Sequence, residues 1–209
     1  MATLLLVTYN SISASLRSVV FFNAVFLGIA VGQPDLFNMS STTLIAVQSL
    51  AVIEIINAAT GIVRAPLFTT IVQVLSRLLI VYGIMFLLPN SPANFHWVYI
   101  SLCLSWSITE ITRYTYYAQH LQGEVWEWLT WLRYTTFYVL YPTGVASEVS
   151  MIILSLNEAE KVVGSWYRYG LIVILFTYIP GFYTLYTYMI LQRKKILGKK
   201  PEKVAKKTE

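Results

Sequence analysis

Residues 67–88 read LFTTIVQVLSRLLIVYGIMFLL, an apolar run in which Arg77 is the one charged side chain. About 20 consecutive apolar residues are enough for a helix to cross the hydrocarbon core of a bilayer. The run stops at PNSPANF (residues 89–95), whose prolines cannot continue the interior of a helix. This stretch is therefore predicted to be a transmembrane helix, and it indicates an all-α membrane protein.

The rest of the chain has the same apolar character. Of its 209 residues, 56% are hydrophobic and 12% are charged, with a mean hydropathy of +0.61. Soluble domains average about 45–50% apolar and about 25% charged residues, so a soluble globular protein is excluded. The hydropathy pattern predicts a bundle of six transmembrane helices, at about 18–32, 44–63, 67–88, 96–118, 126–154 and 167–191.

Positive charge is concentrated at the C-terminal end of the chain. The net charge is +5, and eight of the 15 Lys and Arg residues lie in the segment 193–209. The positive-inside rule places this segment in the cytosol, and an even number of spans places the N-terminus there too. We therefore expect a membrane domain over residues 1–192, with both termini cytosolic, followed by a basic tail. Nucleic acid is not expected as a partner, because the basic residues are not spread over one face.

Ionisable side chains inside the predicted spans are the most informative feature of the sequence. Each costs several kcal/mol in hydrocarbon, so such residues face the interior of a bundle, where they pair or line a polar cavity. The set comprises Glu54, Arg77, Glu110, Arg113, Arg133 and Glu148, with Arg64 at the end of a span.

Two interpretations of these charges remain open from the sequence. They form either an ion network that fixes helix packing or a ligand site in which guanidinium groups near the cytosol meet an anionic ligand. Glu110 and Arg113 are three residues apart, which puts them on one helix face, where they can pair directly.

A second group of polar residues lies in the fifth predicted span. Tyr141 and Glu148 are seven residues apart, which is two helical turns, so they share a face about 10 Å apart along an ideal axis. Pro142 and Gly144 lie between them, and a proline can bend a helix. A phenol and a carboxyl group in a low-dielectric pocket can act together as an acid–base pair.

Three segments carry a resemblance to a known family. They are LRYTTFYVLYPTGVASE (132–148), WSITEITRY (106–114), and Glu54 followed by GIVRAP (61–66), Gln73 and Ser76-Arg77. In these segments the chain resembles the very-long-chain (3R)-3-hydroxyacyl-CoA dehydratases, also called the protein tyrosine phosphatase-like family. The resemblance is closest over residues 54–148.

The resemblance implies a six-span enzyme of the endoplasmic reticulum that dehydrates 3-hydroxyacyl-CoA to trans-2-enoyl-CoA in fatty-acid elongation. It implies that Tyr141 and Glu148 are the catalytic pair, and which of them is the base stays open. No cofactor is implied. Membrane lipid, the condensing enzyme and the reductases of the cycle are the implied partners, and the active site is expected to open toward the cytosol. Lys206-Lys207 near the C-terminus resemble a dilysine retrieval signal.

The remaining polar residues of the matching segments are candidates for binding and support. For the CoA phosphates or the thioester the candidates are Arg133, Arg113, Arg64 and Tyr134. For the supporting shell they are Glu110, Arg77, Tyr114, Tyr117 and Glu54.

Other activities fit the sequence less well. Phosphatase chemistry needs a cysteine followed six positions later by an arginine, but Cys103 is followed at that distance by Thr109. His96 and His120 are predicted on opposite sides of the membrane, so no zinc site is expected. A transporter would be expected to show two inverted halves. A non-catalytic scaffold of the elongation complex remains the alternative to the enzyme.

Overall fold

The computed structural model describes residues 2–63 and 66–198, and within these residues every regular element is helical. The helices are α1 (Ala2–Phe22), α2 (Asp35–Ser49), α3 (Val52–Ala59), α4 (Leu67–Leu78), α5 (Trp97–Gln122), α6 (Glu127–Arg133), α7 (Phe137–Val162) and α8 (Ser165–Leu197). π-Helical turns over Asn23–Leu27 and Leu79–Phe86 prolong α1 and α4, and a 3₁₀ turn over Pro92–Phe95 precedes α5.

The helices have the lengths and composition of a membrane bundle. In the described part of the chain, five helical stretches are long and apolar enough to cross a bilayer. They are Thr3–Ala30, Asp35–Ala59, Leu67–Phe86, Glu127–Val162 and Ser165–Leu197. Helix α5 is also long, at 26 residues, but it carries Glu110, Arg113 and several Ser and Thr side chains. The all-helical membrane class is therefore confirmed, with five to six long apolar helices.

The first helix is longer than the span predicted at 18–32. It begins at Ala2, so that Arg17 lies well inside the helix and not at its start. Asn10 and Ser13 are buried on the side of α1 that faces the bundle. Polar residues in this stretch therefore mark an interior face of a continuous helix and not a loop outside the membrane.

The stretch predicted as one span at 126–154 is divided into two helices. A turn at Tyr134–Thr136 separates α6 from α7, and α7 then continues through Pro142 as far as Val162. Helix α8 likewise continues through Pro180. Neighbouring helices and side-chain hydroxyls can satisfy backbone groups that a proline frees, which is why membrane helices tolerate it.

Helix α5 lies at the centre of the bundle. It packs mainly against α1 on one side and α7 on the other, and α7 packs in turn against α8. Small residues line the α5–α7 contact: a Cβ atom added to Gly144 would lie 3.6 Å from Cβ of Ser105, and Oγ of Ser147 donates to Oγ of Ser101 at 2.9 Å. Small residues let membrane helices approach closely. This approach brings the carboxyl group of Glu148 against α5.

Candidate functional site

Glu148 lies at the junction of α5, α7 and α8. Glu148 is only 7% exposed, and each of its two carboxyl oxygens accepts a hydrogen bond from another helix. The indole Nε1 of Trp106 on α5 donates to Oε1 at 3.0 Å. The hydroxyl of Tyr178 on α8 donates to Oε2 at 2.9 Å. The carboxyl group is thus held in one orientation by two donors that carry no charge.

Tyr141 lies two turns before Glu148 on α7 and also faces α8. Its ring stacks on Phe182, with the ring centroids 5.4 Å apart, and on Tyr186, at 6.2 Å. None of the hydrogen bonds between described residues joins Tyr141 to Glu148. The two side chains therefore share the α8 side of α7 without a hydrogen bond between them, and their positions are about 10 Å apart along an ideal helix axis.

A separate cluster of charges surrounds Glu110 on α5. Nε of Arg17 lies 2.8 Å from Oε2 of Glu110, and these side chains are 1% and 0% exposed. Arg77 of α4 forms an ion pair with Oε1, and Gln48 of α2 donates from Nε2 to Oε2 at 3.1 Å. Helices α1, α2, α4 and α5 are thus tied together at one buried carboxylate.

A second ion pair joins α3 to α5. Nη2 of Arg113 lies 2.7 Å from Oε1 of Glu54, and the hydroxyl of Tyr114 also donates to that oxygen. The direct pair that the spacing of Glu110 and Arg113 allows is therefore not formed. Each of these two residues is paired instead with an opposite charge on another helix that packs against α5.

Arg17 was not among the candidates drawn from the sequence. Besides its ion pair with Glu110, its guanidinium lies over the ring of Tyr114, 4.3 Å from the centroid. It also donates to the backbone oxygen of Ser13 at 3.2 Å. One signal in the sequence could have identified Arg17. Residues 1–16 carry no charge, which is compatible with a membrane helix that begins before Arg17 and places it in the interior.

The charged cluster around Glu110 is connected to Glu148 by the contact between the side chains of Arg77 and Trp106. The guanidinium of Arg77, which pairs with Glu110, lies 5.8 Å from the centroid of the Trp106 ring. The Nε1 of the same Trp106 donates to Glu148. Arg77 therefore packs against the residue that orients the carboxyl group.

Arg133 is surrounded by tyrosines at the end of α6. Its guanidinium lies 4.4 Å from the ring centroids of both Tyr116 and Tyr117 and 5.4 Å from that of Tyr134. Nη2 donates to the Tyr117 hydroxyl at 3.0 Å. Its Nε and Nη1 atoms are buried without a hydrogen-bond partner among the described residues. In contrast to Arg17, Arg77 and Arg113, this arginine faces no carboxylate in that part of the chain.

Three further candidates have simple outcomes. Arg64 lies outside the described residues, as do Lys206 and Lys207. Cys103 is buried inside α5, where its neighbours are helical and not a phosphate-binding loop. Within residues 2–63 and 66–198, no group of three or more His, Cys, Asp or Glu side chains is placed to hold a metal ion.

Comparisons with known proteins agree with the resemblance seen in the sequence. The family model described as "Protein tyrosine phosphatase-like protein, PTPLA" matches residues 48–199. A probable very-long-chain (3R)-3-hydroxyacyl-CoA dehydratase of Schizosaccharomyces pombe is 38% identical over 195 residues, which cover 90% of each chain.

Two other relatives carry the same activity in their names. A very-long-chain (3R)-3-hydroxyacyl-CoA dehydratase of Caenorhabditis elegans is 39% identical, over 92% of this chain and 94% of the relative. The rice dehydratase PASTICCINO 2B is 40% identical, over 73% of this chain and 74% of the relative. These names describe hydro-lyases, the enzyme class expected from the sequence. No solved structure matches the chain.

Proposed function

The chain belongs to the family of protein tyrosine phosphatase-like proteins, and from this premise we propose that it is a dehydratase. Its reaction is the removal of water from a very-long-chain (3R)-3-hydroxyacyl-CoA to give the trans-2-enoyl-CoA, the third step of fatty-acid elongation. The observation that carries the proposal is Glu148, which lies on the same helix as Tyr141. Its buried carboxyl group is held by two neutral donors from other helices. The names of the relatives supply the substrate class.

The chemistry needs a base at C2 and an acid at C3 of the acyl chain. The C2–H bond and the C3–O bond break, a double bond forms between C2 and C3, and the hydroxyl leaves as water. In our proposal Tyr141, as the phenolate, takes the C2 proton and Glu148 gives a proton to the departing hydroxyl. Tyr141 then releases this proton to water and Glu148 takes one up from water, which restores both groups, so the cycle consumes no cofactor. The reverse assignment uses the same two groups.

The fixed orientation of the carboxyl group supports this role. A general acid or base must be within hydrogen-bond reach of the proton that it transfers, and positioning contributes to rate because the reacting atoms start in line. The donors on both oxygens of Glu148 hold it in place, while Tyr141 has no hydrogen bond to another described residue. The stretch of α7 between them is where we place the reacting carbons.

Arg133 is the residue that we favour for the phosphates of CoA. Its Nε and Nη1 atoms have no partner among the described residues, and the three tyrosine rings around it hold the guanidinium in place. Guanidinium groups bind phosphate through pairs of hydrogen bonds. Tyr134 belongs to this group, whereas Arg113 is paired with Glu54 and belongs to the supporting shell.

The topology forms part of the same proposal. We place the catalytic domain over residues 1–192 as six spans, with α5 as the fourth, and the basic tail 193–209 and the N-terminus in the cytosol of the endoplasmic reticulum. Helix α8 ends near Lys194 and Lys195, which supports a cytosolic end for that helix under the positive-inside rule. Arg133 then lies on the cytosolic side, where acyl-CoA and the other enzymes of the cycle are expected.

The test is dehydration of a long-chain (3R)-3-hydroxyacyl-CoA by the purified full chain in detergent, measured as enoyl product. We expect product from the native protein and a loss of about 10²–10⁴-fold in Tyr141→Phe, the range for one acid–base group. Tyr138→Phe is the matched control, because Tyr138 lies one turn earlier on α7 and is 38% exposed. No product from folded native protein would favour the scaffold, and equal product from Tyr141→Phe would remove this tyrosine from the chemistry.

A further inference from the structure

The phenol that contacts Glu148 is Tyr178 and not Tyr141. Tyr178 comes from α8, 30 positions further along the chain, and its ring packs against the apolar core of the bundle. We propose that Tyr178 is a positioning residue for the dehydration, whose hydroxyl orients Oε2 of Glu148 and adapts to the proton on that oxygen. This inference rests on the proposed function.

The donors around the carboxyl group determine where its proton can be. Trp106 offers an indole N–H, which can only donate, so Oε1 of Glu148 has to accept in either protonation state. A phenol can both donate and accept. When Glu148 is neutral, its proton is therefore favoured on Oε2, where it faces the oxygen of Tyr178 in the free enzyme and the departing hydroxyl when substrate is bound.

The hydroxyl of Tyr178 serves both states by rotating. It donates to Oε2 while Glu148 is a carboxylate, and it accepts from Oε2 while Glu148 is a carboxylic acid. Tyr178 itself neither gains nor loses a proton in the cycle, so it acts through Glu148 and does not touch the reacting carbons. Phenylalanine at this position would keep the ring but leave Oε2 without this partner.

Few other ionisable groups act on Glu148, so few could obscure a change in its protonation caused by the loss of the Tyr178 hydroxyl. The other ionisable groups that act on Glu148 or Tyr178 are Arg77 on α4 and Tyr141 on α7. Arg77 is paired with Glu110. Tyr178 donates the hydrogen bond to Oε2, and the hydroxyl of Ser76 on α4, which does not titrate, also faces the carboxyl group.

The experiment compares Tyr178→Phe with Tyr183→Phe, a variant of the same helix whose side chain is 71% exposed. We expect Tyr178→Phe to lower kcat about tenfold to a hundredfold, which is the value of one hydrogen bond to a charged group. KM should stay unchanged, and the pH profile of kcat should shift. Tyr183→Phe should match the native protein in all three.

Two outcomes would overturn the inference alone. One is a native kcat in Tyr178→Phe, and the other is a reduced kcat with the native pH profile. Either counts only if the native protein is active and Glu148→Gln is inactive, which leaves the proposed function standing. Inactive native protein would instead end the proposed function. Should Tyr178→Phe not fold, 3-fluorotyrosine at position 178 keeps the hydroxyl and makes it more acidic, and an unchanged pH profile there would equally overturn the role.

Discussion

Glu110 and Glu148 are both buried carboxyl groups, on the adjacent helices α5 and α7, yet their surroundings are opposite. Glu110 is bound by the guanidinium groups of Arg17 and Arg77. Glu148 is bound by an indole and a phenol, neither of which carries a charge. Within the described residues, one carboxylate is therefore paired directly with two guanidinium groups, and the other accepts hydrogen bonds from neutral donors.

The difference separates the structural role of a buried carboxylate from a chemical one. A carboxylate between two guanidinium groups is held in its charged form and ties helices together, but it is poorly suited to exchanging a proton. A carboxyl group between neutral donors can change its protonation without leaving an unpaired guanidinium behind. The ion network that fixes helix packing is thus present around Glu110, whereas the ligand site and the chemical role of Glu148 stay predictions.

The largest expected effect concerns Glu148→Gln. The amide keeps the shape and can still accept from Trp106, so we expect the thermal unfolding midpoint to stay near that of the native protein. Turnover should fall by about 10²–10⁴-fold, because the acid–base group is gone. Enoyl product and thermal unfolding are measured on the same preparation, and a protein that loses stability but keeps turnover would reverse the comparison.

Glu110→Gln should have the converse effect on the free energy of unfolding. It leaves Arg17 and Arg77 buried without their shared carboxylate, and removing one partner of a buried pair is destabilising by about 3–5 kcal/mol. Unfolding in mixed detergent measures the loss. Glu127→Gln is the control, since Glu127 is exposed at the start of α6; an equal effect there would show that the loss is not specific to the buried cluster.

A smaller effect, confined to substrate binding, is expected at Arg133. Arg133→Gln should raise KM for the acyl-CoA about tenfold and leave kcat unchanged, because a charged hydrogen bond to phosphate is lost. Arg133→Lys keeps the charge without the planar guanidinium group, so its KM should lie between those of the native protein and Arg133→Gln. Arg168→Gln, which removes a half-exposed partner of Glu160, is the control. A fall in kcat with native KM would place Arg133 in the chemistry.

The smallest effect is expected for Ser147→Ala, next to Glu148 on α7. Its hydroxyl bonds to Ser101 and to the backbone oxygen of Thr143, not to the carboxyl group. Interhelical hydrogen bonds in membrane proteins average about 0.6 kcal/mol, so the unfolding free energy should change by about that amount. Turnover should be native, and a large loss of turnover would show that the site extends to the α5–α7 contact.

Composition and motif spacing were sufficient for the fold class and for the family. The apolar runs predict membrane helices because the free energy of transfer into hydrocarbon is a property of each residue and needs no knowledge of the fold. The all-helical class was predicted in this way and is confirmed. The segments around Glu54, Glu110 and Glu148 led to the family that the comparisons confirm. The assignment of Tyr141 and Glu148 as the pair stays a prediction.

Helix partners could not be read in the same way. From the sequence, Glu110 could pair with Arg113, its neighbour on the same helix face. Arg17 preceded the span predicted at 18–32 and was given no partner. In the bundle Glu110 is bound by Arg17, from a position 93 residues earlier, and Arg113 by Glu54. Spacing along one helix reports only local neighbours, whereas a buried charge is paired by whichever helix packs against it.

By itself, the sequence determined that this chain is a membrane protein of helices with buried charges, because hydropathy and charge are properties of each residue. Only the tertiary structure decided which carboxyl group is paired with guanidinium groups and which is held by neutral donors. That distinction depends on α1 and α4 reaching Glu110 while α8 brings Tyr178 to Glu148. Such contacts arise from helix packing, which no local pattern specifies.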